Sequence, residues 1–218
     1  VVIGAVTTLT EVVRHPVIRD RFPILLQAAE AAASPQIRNQ GTLGGNVTQD
    51  TRCWYYRAGW SCYRAGGNIC YADTPTAINR EHAILQQDRC VAVSPSDTAP
   101  ALIALGAELV IQGPQGERVV AAEEYFIGPS IDITRLTVLR PGELLTAIRI
   151  PATWAGAQFY FEKVRDRAQR HGAALGVLKS AFALSICPLR RARSHARDLK
   201  SDTRGTAQIC PKISSRNS

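Results

Sequence analysis

Apolar residues cluster along the chain in short runs, and their spacing predicts a mixture of helices and hairpin strands. The β-branched opening, Val1 to Val6, reads as a strand end, and Thr8 and Thr10 then offer hydroxyl caps to a helix running through Val12 and Val13. From about Phe22 to Ala33 the apolar positions Ile24, Leu25, Ala28, Ala29 and Ala32 keep the three-and-four spacing of a helix with one buried face. Ala33-Ser34-Pro35 stops it, because a residue before proline is pushed out of the helical region. Periodicity is then lost over residues 51–96, which are rich in Cys, Arg, Tyr, Gly and Asn; an irregular stretch of that length is usually functional or braced by a ligand.

Order returns at Pro95. Ser96 or Asp97 can cap an apolar helix from Ala99 to Leu105 that Gly106 ends. Residues 109–112 and 118–121, on either side of "GPQG", predict a hairpin. A strand at 144–150 follows the turn Arg140-Pro141-Gly142 and stops at Pro151, and another is expected at 159–164. Strands joined by hairpins, with helices set apart from them, predict an α+β fold with a mixed or antiparallel sheet and flanking helices, interrupted by an irregular cysteine-rich insertion at 51–94.

Composition changes this picture only at the C-terminal end. The net charge of +8 is carried entirely by the tail: residues 1–164 hold 14 basic and 15 acidic residues, whereas residues 165–218 hold 12 basic and 3 acidic. Arg and Ser there follow neither a strand nor a helix period, so the tail reads as disordered or as the product of a frame error. It lacks the interleaved aromatics of a base-stacking surface, and no nucleic-acid partner is expected. No apolar run approaches the roughly 18 residues that a membrane-spanning helix needs, so no membrane partner is expected either. A chain that starts Val-Val-Ile-Gly and contains no Met reads as a fragment lacking its natural N-terminus.

Two constellations carry candidate chemistry. The stretch "RNQGTLGGNV", residues 38–47, removes three Cβ atoms from one loop at Gly41, Gly44 and Gly45, with Thr42 and Asn46 adding a hydroxyl and an amide. Bare backbone of this kind lets N–H groups converge on an anion such as a diphosphate, although a turn shaped for packing uses the same glycines. The second constellation is Cys53, Cys62, Cys70 and Cys90. Disulfides need an oxidising compartment and zinc usually takes closely spaced cysteine pairs, which this segment lacks; irregular loop spacing suits an iron–sulfur cubane best of the three.

Arg52, Arg57 and Arg64 are placed to offset the charge of such a cluster or to form a solvated face. Asp97 is a candidate for accepting hydrogen bonds from ribose or ribityl hydroxyls, or a helix cap. His15, His82 and His171 have no nucleophile or carboxylate placed beside them by sequence and receive no catalytic role; Cys187 and Cys210 fall in the tail and are set aside. The absence of an acid–base pair points to a redox protein whose cofactors do the chemistry. The competing reading is a non-enzymatic module stapled by a metal, with its basic tail contacting nucleic acid.

"QIRNQGTLGGNV", "PSDTAPALIALGAEL", "GELLTAIRIP" and "FYFEKVRDR", in that order, resemble the FAD-binding medium subunit of the molybdenum hydroxylase (xanthine dehydrogenase) family. The inserted "TRCWYYRAGWSCYRAGGNICYA" resembles the branch that contains the 4-hydroxybenzoyl-CoA reductase β subunit and related aldehyde oxidoreductases, which carries an additional [4Fe–4S] cluster on such a loop. The resemblance implies the second lobe of a vanillyl-alcohol-oxidase (PCMH)-type FAD-binding domain over residues 1–150, the start of a truncated flavoprotein C-terminal domain at 151–167, and the basic tail at 168–218. By the same resemblance Thr42, Gly44, Gly45, Asn46, Asp97, Leu145 and Lys163 match FAD-contacting positions, and Cys53, Cys62, Cys70 and Cys90 match the cluster ligands. The family's first lobe, with its own phosphate loop, has no counterpart here, so the fragment alone is expected to be inactive. The partners implied are a molybdopterin-binding large subunit and a [2Fe–2S] small subunit. The compartment implied is the cytoplasm, with export alongside a partner left open.

Overall fold

The structure, a computed structural model, describes residues 1–80, 82–83 and 88–163. The basic tail from residue 168, with His171, Cys187 and Cys210, lies outside the described residues, as do residues 164–167.

Strand β1 (Val2–Gly4) leads into α1 (Leu9–Arg14), which starts on a capping box: the Thr8 hydroxyl accepts from the Glu11 amide while the Glu11 carboxylate accepts from the Thr8 amide at 2.7 Å. Three helices follow, α2 (Pro16–Arg21), α3 (Pro23–Ala31) and α4 (Pro35–Gln40), each beginning on a proline. Proline suits the first helical turn, where its missing N–H would have no intrahelical partner. Pro35 therefore starts a helix where the sequence suggested only a stop, and Pro16 starts one that was not expected. The glycine stretch is itself a short helix, α5 (Leu43–Val47), capped by Thr42.

Among the described residues of the insertion, only α6 (Trp54–Arg57) and a 3-10 turn over Tyr63–Ala65 are regular. Beyond it come α7 (Ala99–Ala104), the hairpin of β2 (Glu108–Gly113) and β3 (Gly116–Ala121), α8 (Ala122–Tyr125) and β4 (Leu144–Arg149). The residue that caps α7 is Thr98, without a side-chain cap bond, rather than Ser96 or Asp97; Ser96 Oγ nevertheless accepts the Ala99 amide at 3.1 Å. Of the strand expected at 159–164, the described residues 159–163 have no strand pairing, and residue 164 lies outside the described residues.

The sheet has the order β1-β4-β2-β3 and every neighbouring pair is antiparallel. Strand β4 arrives late in the chain yet lies inside the sheet, closing β1 onto the hairpin. Phe22, Leu25, Leu43, Leu102, Leu105, Leu109, Ile111 and Ile148 fill a single apolar core between the helices and this sheet. A register shift opposite Val110 and Ile111 leaves Thr146 as an extra residue in β4. Such bulges bend a strand and re-aim its neighbours. Here the Thr146 carbonyl accepts the Ala5 amide at 2.9 Å, and the Ala5 carbonyl accepts the Gly44 amide at 2.8 Å. The bulge therefore fixes where α5 sits, and it lies next to Leu145.

Candidate functional site

Residues 42–46 are held by local hydrogen bonds. The Leu43 amide donates to the Thr7 carbonyl, the Gly44 amide to Ala5, the Gly45 amide to Thr42 Oγ1 and the Asn46 amide to the Thr42 carbonyl. This corrects the expectation that the glycines expose amides converging on an anion: the amides of 43–46 are committed within the protein. Gly44 is glycine for packing, since a Cβ there would stand 2.7 Å from both the Cβ and the carbonyl oxygen of Ala5. Gly45 is exposed and a Cβ would meet only the Thr42 hydroxyl.

Asn46 does structural work between segments. Its Oδ1, in a side chain only 8% exposed, accepts from Ser96 Oγ at 2.9 Å, Thr98 Oγ1 at 2.7 Å and the Thr98 amide at 3.2 Å. That bond set brings Asp97 beside α5. Asp97 in turn pairs with Lys163 at 2.7 Å, and the Lys163 ammonium also donates to the Ala31 carbonyl at the end of α3. Helix α5 lies against β4, whose Leu145 packs against the apolar core. All seven residues assigned to the flavin site thus fall on segments joined by direct contacts, although they are spread from position 42 to position 163.

The insertion lines a small, partly open cavity with Cys53, Cys62, Cys70, Cys90, Arg64 and His82, with tyrosines and apolar groups between them. Burial pushes the Cys53 and Cys90 thiols up from their ordinary pKa, so they favour the neutral form. All four cysteines are free thiols. Among the described residues no group of three or more His, Cys, Asp or Glu is gathered so as to hold a metal ion. Cys53, Cys62, Cys70 and Cys90 line one cavity, but the structure does not gather them into the cluster ligand set that the resemblance implies.

Of the three candidate arginines only Arg64 lines the cavity. Arg57 Nε donates to the Thr51 carbonyl at 3.0 Å and an Arg52 terminal nitrogen donates to Gln49 Oε1 at 2.8 Å. Arg64 is buried, pairs with Asp50 at 2.7 Å, donates to the Ile133 carbonyl and lies over the Tyr56 ring, yet its Nε has no hydrogen-bond partner. His82 is 3% exposed and neither ring nitrogen is hydrogen-bonded. Burial lowers its pKa, and the Asn79 backbone near the ring acts in the opposite direction. Sequence reasoning missed His82 because its neighbours in the cavity come from distant turns, and "NREHAIL" contains no signal that would find it.

The family described as "FAD binding domain in molybdopterin dehydrogenase" matches residues 1–153. Among curated proteins, the aldehyde oxidoreductase FAD-binding subunit PaoB of Escherichia coli K12 is 35% identical over 179 residues, covering 80% of this chain and 55% of that protein. The carbon monoxide dehydrogenase medium chain of Hydrogenophaga pseudoflava is 30% identical over 189 residues, covering 85% of this chain and 49% of that one. The chain therefore spans about half the length of the curated relatives it matches. Among solved structures, carbon monoxide dehydrogenase from Hydrogenophaga pseudoflava superimposes with a TM-score of 0.51 at 27% identity, over 76% of this chain and 42% of that one. The enzyme from Oligotropha carboxidovorans does so with the same score at 28% identity, over the same shares of the two chains. Among the described residues no helix is long and apolar enough to cross a membrane.

Proposed function

The chain belongs to the family of FAD-binding domains in molybdopterin dehydrogenases, and from that membership we propose that its protein is the flavin-binding, electron-relaying subunit of a molybdopterin-containing oxidoreductase. It supplies the second lobe of a vanillyl-alcohol-oxidase (PCMH)-type FAD site, carries a [4Fe–4S] cluster in the insertion, and works beside a molybdopterin-binding large subunit and a [2Fe–2S] small subunit. When bound, the flavin would supply two-electron chemistry divisible into single-electron transfers, and the cluster would accept and pass single electrons.

On this reading the chain's own residues position and neutralise. Thr42 and the exposed Gly45 edge face the dinucleotide, Asn46 holds the 96–98 segment so that Asp97 can accept from ribose or ribityl hydroxyls, and Lys163 balances the Asp97 charge. Leu145, next to the bulge in β4, provides an apolar wall. Gly44 acts at one remove, by allowing α5 to sit against Ala5.

The observation that carries the cluster is the donor inventory of the cavity: four thiols together with unpartnered Arg64 Nε and His82 nitrogens. An apolar filling would leave those buried donors unsatisfied, at a cost of about 1–3 kcal/mol each. A sulfur-rich anionic group would accept them.

Anaerobic expression of the full-length protein with metal and flavin analysis tests the assignment. Flavin absorbance together with about four irons per chain is expected for a cubane held by four thiolates. Flavin without iron removes the cluster, and zinc without flavin favours the metal-stapled binding module. Cys70→Ser should lose iron while leaving flavin content unchanged.

A further inference from the structure

His82 makes no hydrogen bond with its side chain although it is almost completely buried, and it stands in the wall of the four-thiol cavity. Arg64, the other nitrogen donor in that wall, has its terminal nitrogens engaged by Asp50 and the Ile133 carbonyl, so its position is explained by the fold. For His82 the Asn79 backbone lies near the ring, yet neither ring nitrogen completes a hydrogen bond within the protein. At neutral pH burial favours its neutral ring, which has one N–H to donate and one bare nitrogen to accept. The walls contributed by Cys53, Cys62, Cys70 and Cys90 offer thiols, which are weak partners for an imidazole. A buried donor with no protein acceptor needs the acceptor to come from whatever fills the cavity.

We propose that His82 donates its ring N–H to a sulfur of the group held by Cys53, Cys62, Cys70 and Cys90, and thereby sets that group's reduction potential. The proposal rests on the cluster reading given above. A hydrogen bond to a cluster sulfur stabilises the reduced, more negative form over the oxidised one, so it raises the potential. His82 is on this view a positioning and tuning residue rather than a ligand.

The test compares the full chain, prepared anaerobically and reconstituted with ferrous iron and sulfide, with His82→Leu and His82→Asn. Iron content is measured first, and the potential is then read by redox titration followed by electron paramagnetic resonance. The expected result is undiminished iron in all three, a shift to more negative potential in H82L, and partial or full return in H82N, whose side-chain amide restores an N–H donor. An unchanged potential in H82L at full iron occupancy overturns the role of His82 and leaves the cluster in place. Loss of iron from a folded H82L would make His82 a ligand and also overturn the proposal. A wild-type chain that takes up no iron and sulfide overturns the cluster reading and this inference with it. Circular dichroism of H82L and H82N checks that any loss of iron is not a loss of fold.

Discussion

The carboxylate of Asp97 meets the ammonium of Lys163 at 2.7 Å, with only 11% and 10% of the two side chains exposed. The contact ties the segment before α7 to the last described residue of the chain. It also places a cation on the Ala31 carbonyl, where the end of α3 leaves backbone oxygens without helical partners. Charges this far from water are costly to leave single. Lys163→Met should therefore destabilise the fold by about 2–3 kcal/mol, somewhat below the cost for a fully enclosed pair. Asp97→Asn should cost less, because the amide can still face the ammonium. Urea unfolding of both singles and the double variant should return a coupling of about 1–2 kcal/mol. If Asp97 also faces the flavin, the same variants should lower flavin affinity, whereas a purely structural pair would leave the affinity of the folded fraction unchanged.

Gly44 and Gly45 are adjacent and should respond oppositely to the same substitution. A methyl at Gly44 collides with the backbone of Ala5, which is fixed from the other side by Thr146. Gly44→Ala should cost about 2–3 kcal/mol through overpacking that neither segment can relieve. At Gly45 the nearest atom is the Thr42 hydroxyl at 2.9 Å, and a small side-chain rotation relieves it. Gly45→Ala should stay within about 1 kcal/mol of wild type, the loss of a Thr42 cap bond setting the upper limit. Thermal unfolding of the pair measures the contrast.

That contrast marks how far the sequence could be read. Helix α1 and the hairpin of β2 and β3 were legible because their signals are local: threonine hydroxyls at the head of the helix, of which Thr8 is the cap, and a Gly/Pro turn between β-branched runs. Helices α2 and α4 were not, since Pro16 and Pro35 look like breakers until one sees that each is a first helical residue. The glycine motif stands out in the sequence, yet the physical reason for Gly44 is a neighbour 39 positions away, Ala5, which no spacing rule supplies. His82 and Arg64 belong to the cavity only through the path of an irregular chain, and regular patterning is the one signal such a chain lacks.

Asn46 should be intolerant of truncation for a reason independent of any cofactor. Its side-chain oxygen is the acceptor for Ser96 Oγ, Thr98 Oγ1 and the Thr98 amide, all buried. Asn46→Ala orphans these donors together and should cost about 2–4 kcal/mol, allowing for one hydroxyl to turn toward another acceptor. The 96–98 segment should loosen before the core does, so hydrogen exchange at the Thr98 amide should rise by more than the global unfolding free energy alone predicts.

Acid should weaken the fold partly through Glu143. Arg118 grips its carboxylate with Nε and a terminal nitrogen at 2.9 and 2.7 Å, and the Arg140 amide adds a third donor. The Arg118 hydrogen bonds lead in lowering its pKa to about 2 from the usual carboxylate value of 4.5. A carboxylate whose pKa is depressed in the folded state stabilises it above the unfolded-state value, and that stabilisation is lost as pH falls toward the folded-state value. Glu143→Gln should therefore be most destabilising near neutrality, with its deficit shrinking from pH 4.5 down to about 2. Asp132, lowered by Thr134 and Arg135, adds acid sensitivity of the same sign, so the comparison must be between wild type and E143Q rather than on wild type alone.

Asp50 and Arg64 should differ in which partner can be removed more safely. Their contact at 2.7 Å joins a guanidinium 4% exposed to a carboxylate 51% exposed. Asp50→Ala leaves a positive charge inside the insertion facing the Tyr56 ring and the Ile133 carbonyl, with its counter-ion gone. Arg64→Met removes that charge and keeps most of the buried volume, exposing only a carboxylate that water already reaches. Removing the outer partner should thus cost about 2–3 kcal/mol locally and replacing the inner one about 1 kcal/mol. The Gly67 and Tyr63 amides, bonded to the carbonyls of Cys62 and Ile69, report on the insertion alone. In the metal-free chain their exchange should accelerate more than tenfold in D50A and only a few-fold in R64M, since about 1.4 kcal/mol corresponds to a factor of ten. The reverse order would mean that the guanidinium is held chiefly by Ile133 and Tyr56, and that Asp50 merely follows it.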